Sequence, residues 1–352
     1  WSGEAGSGAV RMMGALSGGA WAAHMISDLG DGRFDGAWLA QNFETLQPEK
    51  AIWDKYATLF AHADTERERF VEFERWWNGY YTLSREEILG ITQNLFIGNR
   101  LEQGEMQLDA HCTVDLKRIS NPLIIFASDG DNITPPEQAM GWIGKLYPDT
   151  DALKAAGQRI VYMTHPRVGH LGIFVSGSVA RLQHRAILES LDDVEALSPG
   201  LYEMVIDNPS GDPDCETGDF EVRFEPREVD DLGIASDDAA LKQVAQISRI
   251  NEAFYSTFVS PWIRAATTPA SAEALRALHP MRWTRTMFSE RVNPWMALVR
   301  STAETIRETR DPLPENHPAI VTERALAART GEVLGAWRKG RDAWITHVFG
   351  AM

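Results

Sequence analysis

The sequence predicts an α/β fold: strands of a parallel sheet with packed helices, followed by a mainly helical C-terminal extension. Three observations lead there. Two short runs, the continuously apolar residues 122–128 and a second at 159–164, have the character of buried strands. Helical patterning fills the gap between them and resumes after the second, with short loops, which is the grammar of a parallel sheet. From residue 236 onward the apolar residues recur at helical spacing, interrupted only at prolines. With 352 residues, 44% hydrophobic and 24% charged, the chain has the composition of a globular protein able to bury a sizeable core.

Taken in order, residues 1–50 open with glycine-rich turns and then a helical stretch around residues 20–29. Residues 51–98 are helical and dense in aromatics. Phe70, Phe73, Trp76, Trp77, Tyr80 and Tyr81 recur every three or four positions, as on one helix face. Such a face serves helix packing or lines an acyl substrate. Ser84 stands three residues before Glu87, a capping box for the helix that follows. The strand at 122–128 runs into the polar turn Asp129-Gly130-Asp131-Asn132, and Pro135-Pro136 suits the opening of a helix over 137–147. After the second strand come a loop from Pro166 to Gly172 and an amphipathic helix over 178–191. Residues 192–231 hold 14 acids against Arg223 and Arg227, with strand-like pieces at 202–206 and 220–224 that predict a hairpin. The helical region 236–352 breaks near Pro261, Pro280, Pro294 and Pro312–Pro318. Its last segment, 320–349, aligns Leu326, Val333, Leu334, Trp337, Trp344, Ile345 and Val348 on one stripe. The chain therefore divides into residues 1–110, largely helical; 111–191, the sheet core; 192–235, an acidic hairpin and linker; and 236–352, the helical extension.

The net charge of −16 argues against nucleic acid and anionic membranes, both of which demand a basic footprint. No apolar run of 18 residues exists, so no membrane span is expected. Two cysteines, Cys112 and Cys215, make neither a disulfide framework nor a cysteine-based zinc site, which points to a reducing, cytoplasmic setting. No phosphate-binding glycine loop or dinucleotide fingerprint is present, so no cofactor is expected. No metal site is expected either. The loop Asp212-Pro213-Asp214-Cys215-Glu216-Thr217-Gly218 imitates a calcium loop only superficially: Thr217 stands where the turn glycine belongs and Arg223 where the bidentate glutamate belongs. It reads as a solvated hairpin tip.

The chemistry gathers in the loops beyond the two strands, where parallel sheets collect reactive groups. Asp131 follows the first strand and His170 the second. Acid before histidine is the order of the α/β-hydrolase triad, whose nucleophile comes earlier in the chain. In that chemistry the imidazole takes the nucleophile's proton and returns it to the leaving group, while the carboxylate fixes the tautomer. Asp129 competes with Asp131 for the acid role, and His165 reads as a loop residue.

Particular stretches carry a resemblance. Asp131-Asn132-Ile133-Thr134-Pro135 resembles the acid loop of polyhydroxyalkanoate synthases, and Val168-Gly169-His170-Leu171-Gly172-Ile173-Phe174-Val175 resembles their histidine loop. Asn42-Phe43-Glu44-Thr45-Leu46-Gln47-Pro48 with Trp53, Trp76-Trp77-Asn78, Leu95-Phe96-Ile97-Gly98-Asn99-Arg100-Leu101 and Val114-Asp115-Leu116-Lys117-Arg118-Ile119 with Pro122 are similar to further pieces of that family, in the same order, over residues 40–190. The closer likeness is to an uncharacterised synthase-like branch with a C-terminal extension. The resemblance implies the C-terminal part of an α/β-hydrolase fold that transfers an acyl group from a hydroxyacyl thioester through a covalent acyl-enzyme. It also implies that residues 1–110 are a post-nucleophile segment and helical cap. An esterase or thioesterase, and a catalytically silent binding or scaffolding protein, are the rival readings. Asn132 replaces the family's histidine. The family's nucleophilic cysteine lies before the segment resembling Asn42–Pro48, and neither Cys112 nor Cys215 fits it. Ser17, in Ala15-Leu16-Ser17-Gly18-Gly19, is a weak substitute, with a poor strand before it. The chain opens on Trp1 and a Gly/Ser-rich stretch, so the nucleophile is expected upstream, and the chain alone is expected to be inactive. The expected partners are a small acyl thioester or ester and, through the C-terminal helices, another protein or a second copy.

Overall fold

The computed structural model describes residues 18–97, 99–131, 133–207, 220–234, 238–311 and 313–350. They form two compact units: a helical one of residues 18–89 and 248–350, and a sheet-containing one of residues 90–247.

The helical unit begins with the helix Trp21–Leu29, as the pattern predicts. A short antiparallel pair follows, β1 (Arg33–Asp35) and β2 (Thr82–Ser84), and the helices Ala37–Leu46, Lys55–Ala61 and Ala63–Trp77 lie between them in sequence. The capping box forms: Glu87 N–H donates to Ser84 Oγ at 3.1 Å and Ser84 N–H to the Glu87 carboxylate at 2.7 Å. The aromatic face is shorter than its spacing predicts. The helix stops at Trp77, where the Asn78 side-chain amide bonds the Glu74 carbonyl at 2.8 Å, so Tyr80 and Tyr81 leave the helix axis. Trp77 packs by stacking on Phe73 and donates its indole N–H to Glu44 at 3.0 Å.

In the C-terminal half, prolines open helices rather than merely interrupting them. Pro261 sits in the first turn of Ser260–Ala266, Pro269 and Pro280 begin Pro269–Ala277 and Pro280–Met287, and Pro294 precedes Trp295–Thr309. The missing N–H costs nothing in a first turn. The final helix, Pro318–Gly350, is held at two points: Trp53 Nε1 donates to the Ala327 carbonyl at 2.9 Å, and Arg338 pairs with Glu49 at 2.7 Å. Its expected apolar stripe is only partly used. Ile345 is buried, while Leu326, Val333, Trp337 and Trp344 are exposed.

The sheet unit opens with a small hairpin, β3 (Gln107–Asp109) and β4 (Cys112–Thr113), on which Cys112 is exposed. The main sheet has the order β5 (Leu123–Ser128), β6 (Arg159–His165), β7 (Gly200–Asp207), β8 (Glu221–Arg227). The first three strands are parallel and β8 is antiparallel to β7. The run Ile160–Met163 in the middle of β6 is buried because both faces of the strand are covered. Ile160 and Tyr162 join Met140, Ile143, Leu153 and Leu201 on one side, and Val161 and Met163 join Ala186, Val194 and Met204 on the other. The helix Pro136–Leu146 connects β5 towards β6 with Pro136 in its first turn.

The hairpin over the acidic stretch exists, and it is part of this sheet: β7 pairs with β6 from Arg159↔Gly200 to Tyr162↔Glu203. Charge composition conceals this because acids fall on both strands, where Arg223 pairs with Asp207 and Arg227 with Glu203. The hairpin tip, with the calcium-like loop and Cys215, lies outside the described residues, as do Ser17 and Asn132. No helix among the described residues is long and apolar enough to cross a membrane.

Candidate active site

The register of β5 on β6 sets the geometry. Ser128, the last residue of β5, lies opposite His165, the last of β6, so the loops that follow leave the sheet side by side. Ser128 is fully buried and ties them together. Its hydroxyl proton is shared between the carbonyls of His165 at 2.8 Å and Val168 at 2.6 Å, and its oxygen accepts the Gly130 N–H at 3.2 Å. The Asp129 N–H adds a bond to the His165 carbonyl at 3.0 Å.

Two further residues shape the histidine loop. His165 turns its Nδ1 inward to accept the N–H groups of Arg167 (3.1 Å) and Val168 (3.0 Å). That acceptor role needs the unprotonated nitrogen, and burial, with Arg167 nearby, lowers the imidazole's pKa accordingly. Gly130 lies against the same loop: a Cβ there would sit 2.4 Å from the Arg167 carbonyl carbon and oxygen and 2.7 Å from the Val168 carbonyl oxygen. Only glycine lets the backbones approach so closely.

Asp131 and His170 meet in the space these contacts define. His170 Nδ1 lies 2.8 Å from Asp131 Oδ2. The Asp131 side chain is entirely buried and the His170 side chain is 32% exposed, so the carboxylate sits behind the imidazole and the ring reaches solvent. The carboxylate is fully provided for. Oδ1 accepts the N–H groups of Ile133 (2.8 Å) and Thr134 (2.9 Å), and Oδ2 accepts the Thr134 hydroxyl (2.7 Å) as well as His170. Burial opposes its ionisation. The bonds from His170, from the Thr134 hydroxyl and from the two amides outweigh it and hold the pKa down to about 2. Thr134 Oγ1 is also 3.0 Å from His170 Nδ1, bracing the ring edge. Asp129, the rival acid, is exposed.

The sequence points to Asp131 and His170, whereas His165, expected in the loop, is the last residue of β6. Ser128, Gly130 and Thr134 were passed over. Thr134 was legible in principle, because an aspartate followed three residues later by threonine is a local capping pattern. Among the described residues no group of three histidine, cysteine or acidic side chains is arranged to hold a metal ion. Ser128→Ala is expected to take the Ser128 hydroxyl from the Val168 carbonyl and from the Gly130 N–H, and to cost about 1–3 kcal/mol, read as a lower midpoint in urea unfolding.

The comparisons place this geometry in context. An "Uncharacterized protein in ackA 5'region" from Rhizobium meliloti is 40% identical over 348 residues, covering 96% of this chain and 47% of that protein. The "Poly(3-hydroxyalkanoate) polymerase subunit PhaC" of Haloferax mediterranei is 26% identical over 149 residues, 41% of this chain and 28% of that protein. The chain thus spans about half the length of the first relative and less of the second. No solved structure gives a significant match. The family described as "Protein of unknown function (DUF3141)" matches residues 1–352 from end to end, and the chain belongs to that family.

Proposed function

We propose that Asp131 and His170 are the acid and base of an acyl-transfer centre of the α/β-hydrolase type, and that this chain contributes the sheet strands and loops that hold them. The observation that carries the reading is the buried, multiply bonded carboxylate of Asp131, 2.8 Å from Nδ1 of a half-buried histidine at the ends of adjacent parallel strands. With Nδ1 committed to Asp131, Nε2 is the nitrogen that takes the nucleophile's proton and returns it to the leaving group. The distant likeness to a poly(3-hydroxyalkanoate) polymerase subunit supports a hydroxyacyl thioester as acyl donor, reacting through a covalent acyl-enzyme. The nucleophile in this reading precedes the acid and histidine strands in the chain order of such triads.

The test is to mix the native protein carrying this chain with a hydroxyacyl-CoA and follow free CoA and intact protein mass together. Release of CoA with an acyl adduct on the protein is the expected result. Polymer as the product marks a transferase and free hydroxy acid a thioesterase. Absence of both CoA release and adduct removes the acyl-transfer reading and leaves a binding role.

A further inference from the structure

The helical unit holds a cavity of about 130 Å³ beside β1. An apolar cavity of similar size accommodates a molecule as large as benzene. Ile26, Leu29 and Leu275 provide apolar wall, and Trp38, Arg33 and His279 also line it.

His279 is the telling residue. It is only 3% exposed and caps the helix Pro280–Met287, its Nδ1 accepting the Met281 N–H at 3.3 Å. A ring that accepts at Nδ1 carries its proton on Nε2. Burial lowers the imidazole's pKa against the pull of Asp35, and Arg282 adds to the lowering, so the ring stays neutral. Trp38 meets it edge-on at 4.3 Å and fixes its orientation. Yet Nε2 has no hydrogen-bond partner among the described residues. A buried donor left this way is costly, and a lone water would need further polar partners to be held there. The nearby Asp35 carboxylate does not offer them. Both its oxygens are taken by Arg282, at 2.8 and 3.0 Å, and one also accepts the Ala37 N–H. The Arg33 guanidinium forms no ion pair with another described residue.

We propose that this cavity binds a compact monocarboxylate, its carboxylate accepting the Nε2–H of His279 and balanced by Arg33, its short apolar tail lying against Ile26, Leu29 and Leu275. The site uses neither Asp131 nor His170 and does not depend on the acyl-transfer reading.

Calorimetric titration of the full chain with pentanoate, pentanamide and pentan-1-amine tests it without any turnover assay. Pentanoate is expected to bind, with the amide weaker and the amine silent. His279→Phe should weaken pentanoate binding by about tenfold or more, the loss of one buried hydrogen bond. Because that variant also removes a helix cap, Leu275→Trp serves as the second: it keeps the cap, fills the cavity and should abolish binding. No heat with pentanoate, equal binding of pentanamide, or undiminished binding in the Leu275→Trp protein each overturns the proposal.

Discussion

Replacing His170 with alanine is expected to lower the proposed acyl-transfer turnover by on the order of 10³-fold or more, with a smaller loss of stability than Asp131→Asn brings. The imidazole is partly exposed, and it is its bond to Asp131, not packing, that the substitution removes. Asp131→Asn should reach a similar loss of turnover by another route. The new amide donates where Oδ2 accepted, so His170 Nδ1 must give up its proton and accept instead. The proton then sits on Nε2, where a base is needed. This variant is expected to be less stable as well. Asp131 is held to about 2 in the fold against an ordinary 3.8, so its ionised form favours folding. That contribution, on the order of 2 kcal/mol, is complete above about pH 4 and fades as pH falls towards 2. Acid unfolding of the His170→Ala protein should therefore begin at higher pH than in the parent, since one of the bonds lowering the Asp131 pKa is gone. Kinetics and acid titrations followed by circular dichroism check both halves. Normal turnover in either variant would remove these residues from the chemistry.

Gly130→Ala is the second large effect. The added methyl would lie 2.4 Å from the backbone of Arg167 and 2.7 Å from the Val168 oxygen. Neither neighbour is a flexible side-chain tip that can swing aside, so the two loops must separate. The Ser128 and Asp129 bonds to the histidine loop stretch with them, and the His170 ring withdraws from Asp131. We expect a loss of about 2–4 kcal/mol in stability together with turnover as low as that of the His170 variant. A crystal structure of Gly130→Ala with the 2.8 Å contact intact would contradict this account of how the site is held.

The parts legible in the sequence are those written in local pattern. β5 and β6 stand out because a strand covered on both faces is apolar through its middle, and Asp131 and His170 stand out because each follows such a strand. The proline-opened helices and the Ser84–Glu87 cap are likewise local. What stayed hidden depends on register. That Ser128 joins the carbonyls of His165 and Val168, some forty positions away, follows only from pairing β5 with β6 in one alignment. Gly130 looks like any turn glycine until the passing backbone of Arg167 is in place. The integration of β7 and β8 into the main sheet was masked for a different reason: their acidity suggested a separate element, whereas an edge strand tolerates charge on the flank that faces water.

That last point bears on how the sheet can grow. Along β8, Glu221, Arg223, Glu225 and Arg227 alternate in sign, and the last three are bound up in pairs with one another and with β7. A foreign strand approaching there would have to displace satisfied charges, so this flank resists self-templating and aggregation. The opposite flank, β5, contains no charged residue from Leu123 to Ser128. Among the described residues the two borders of the sheet are thus chemically unequal: one repels extension, and the other has no charge along its strand.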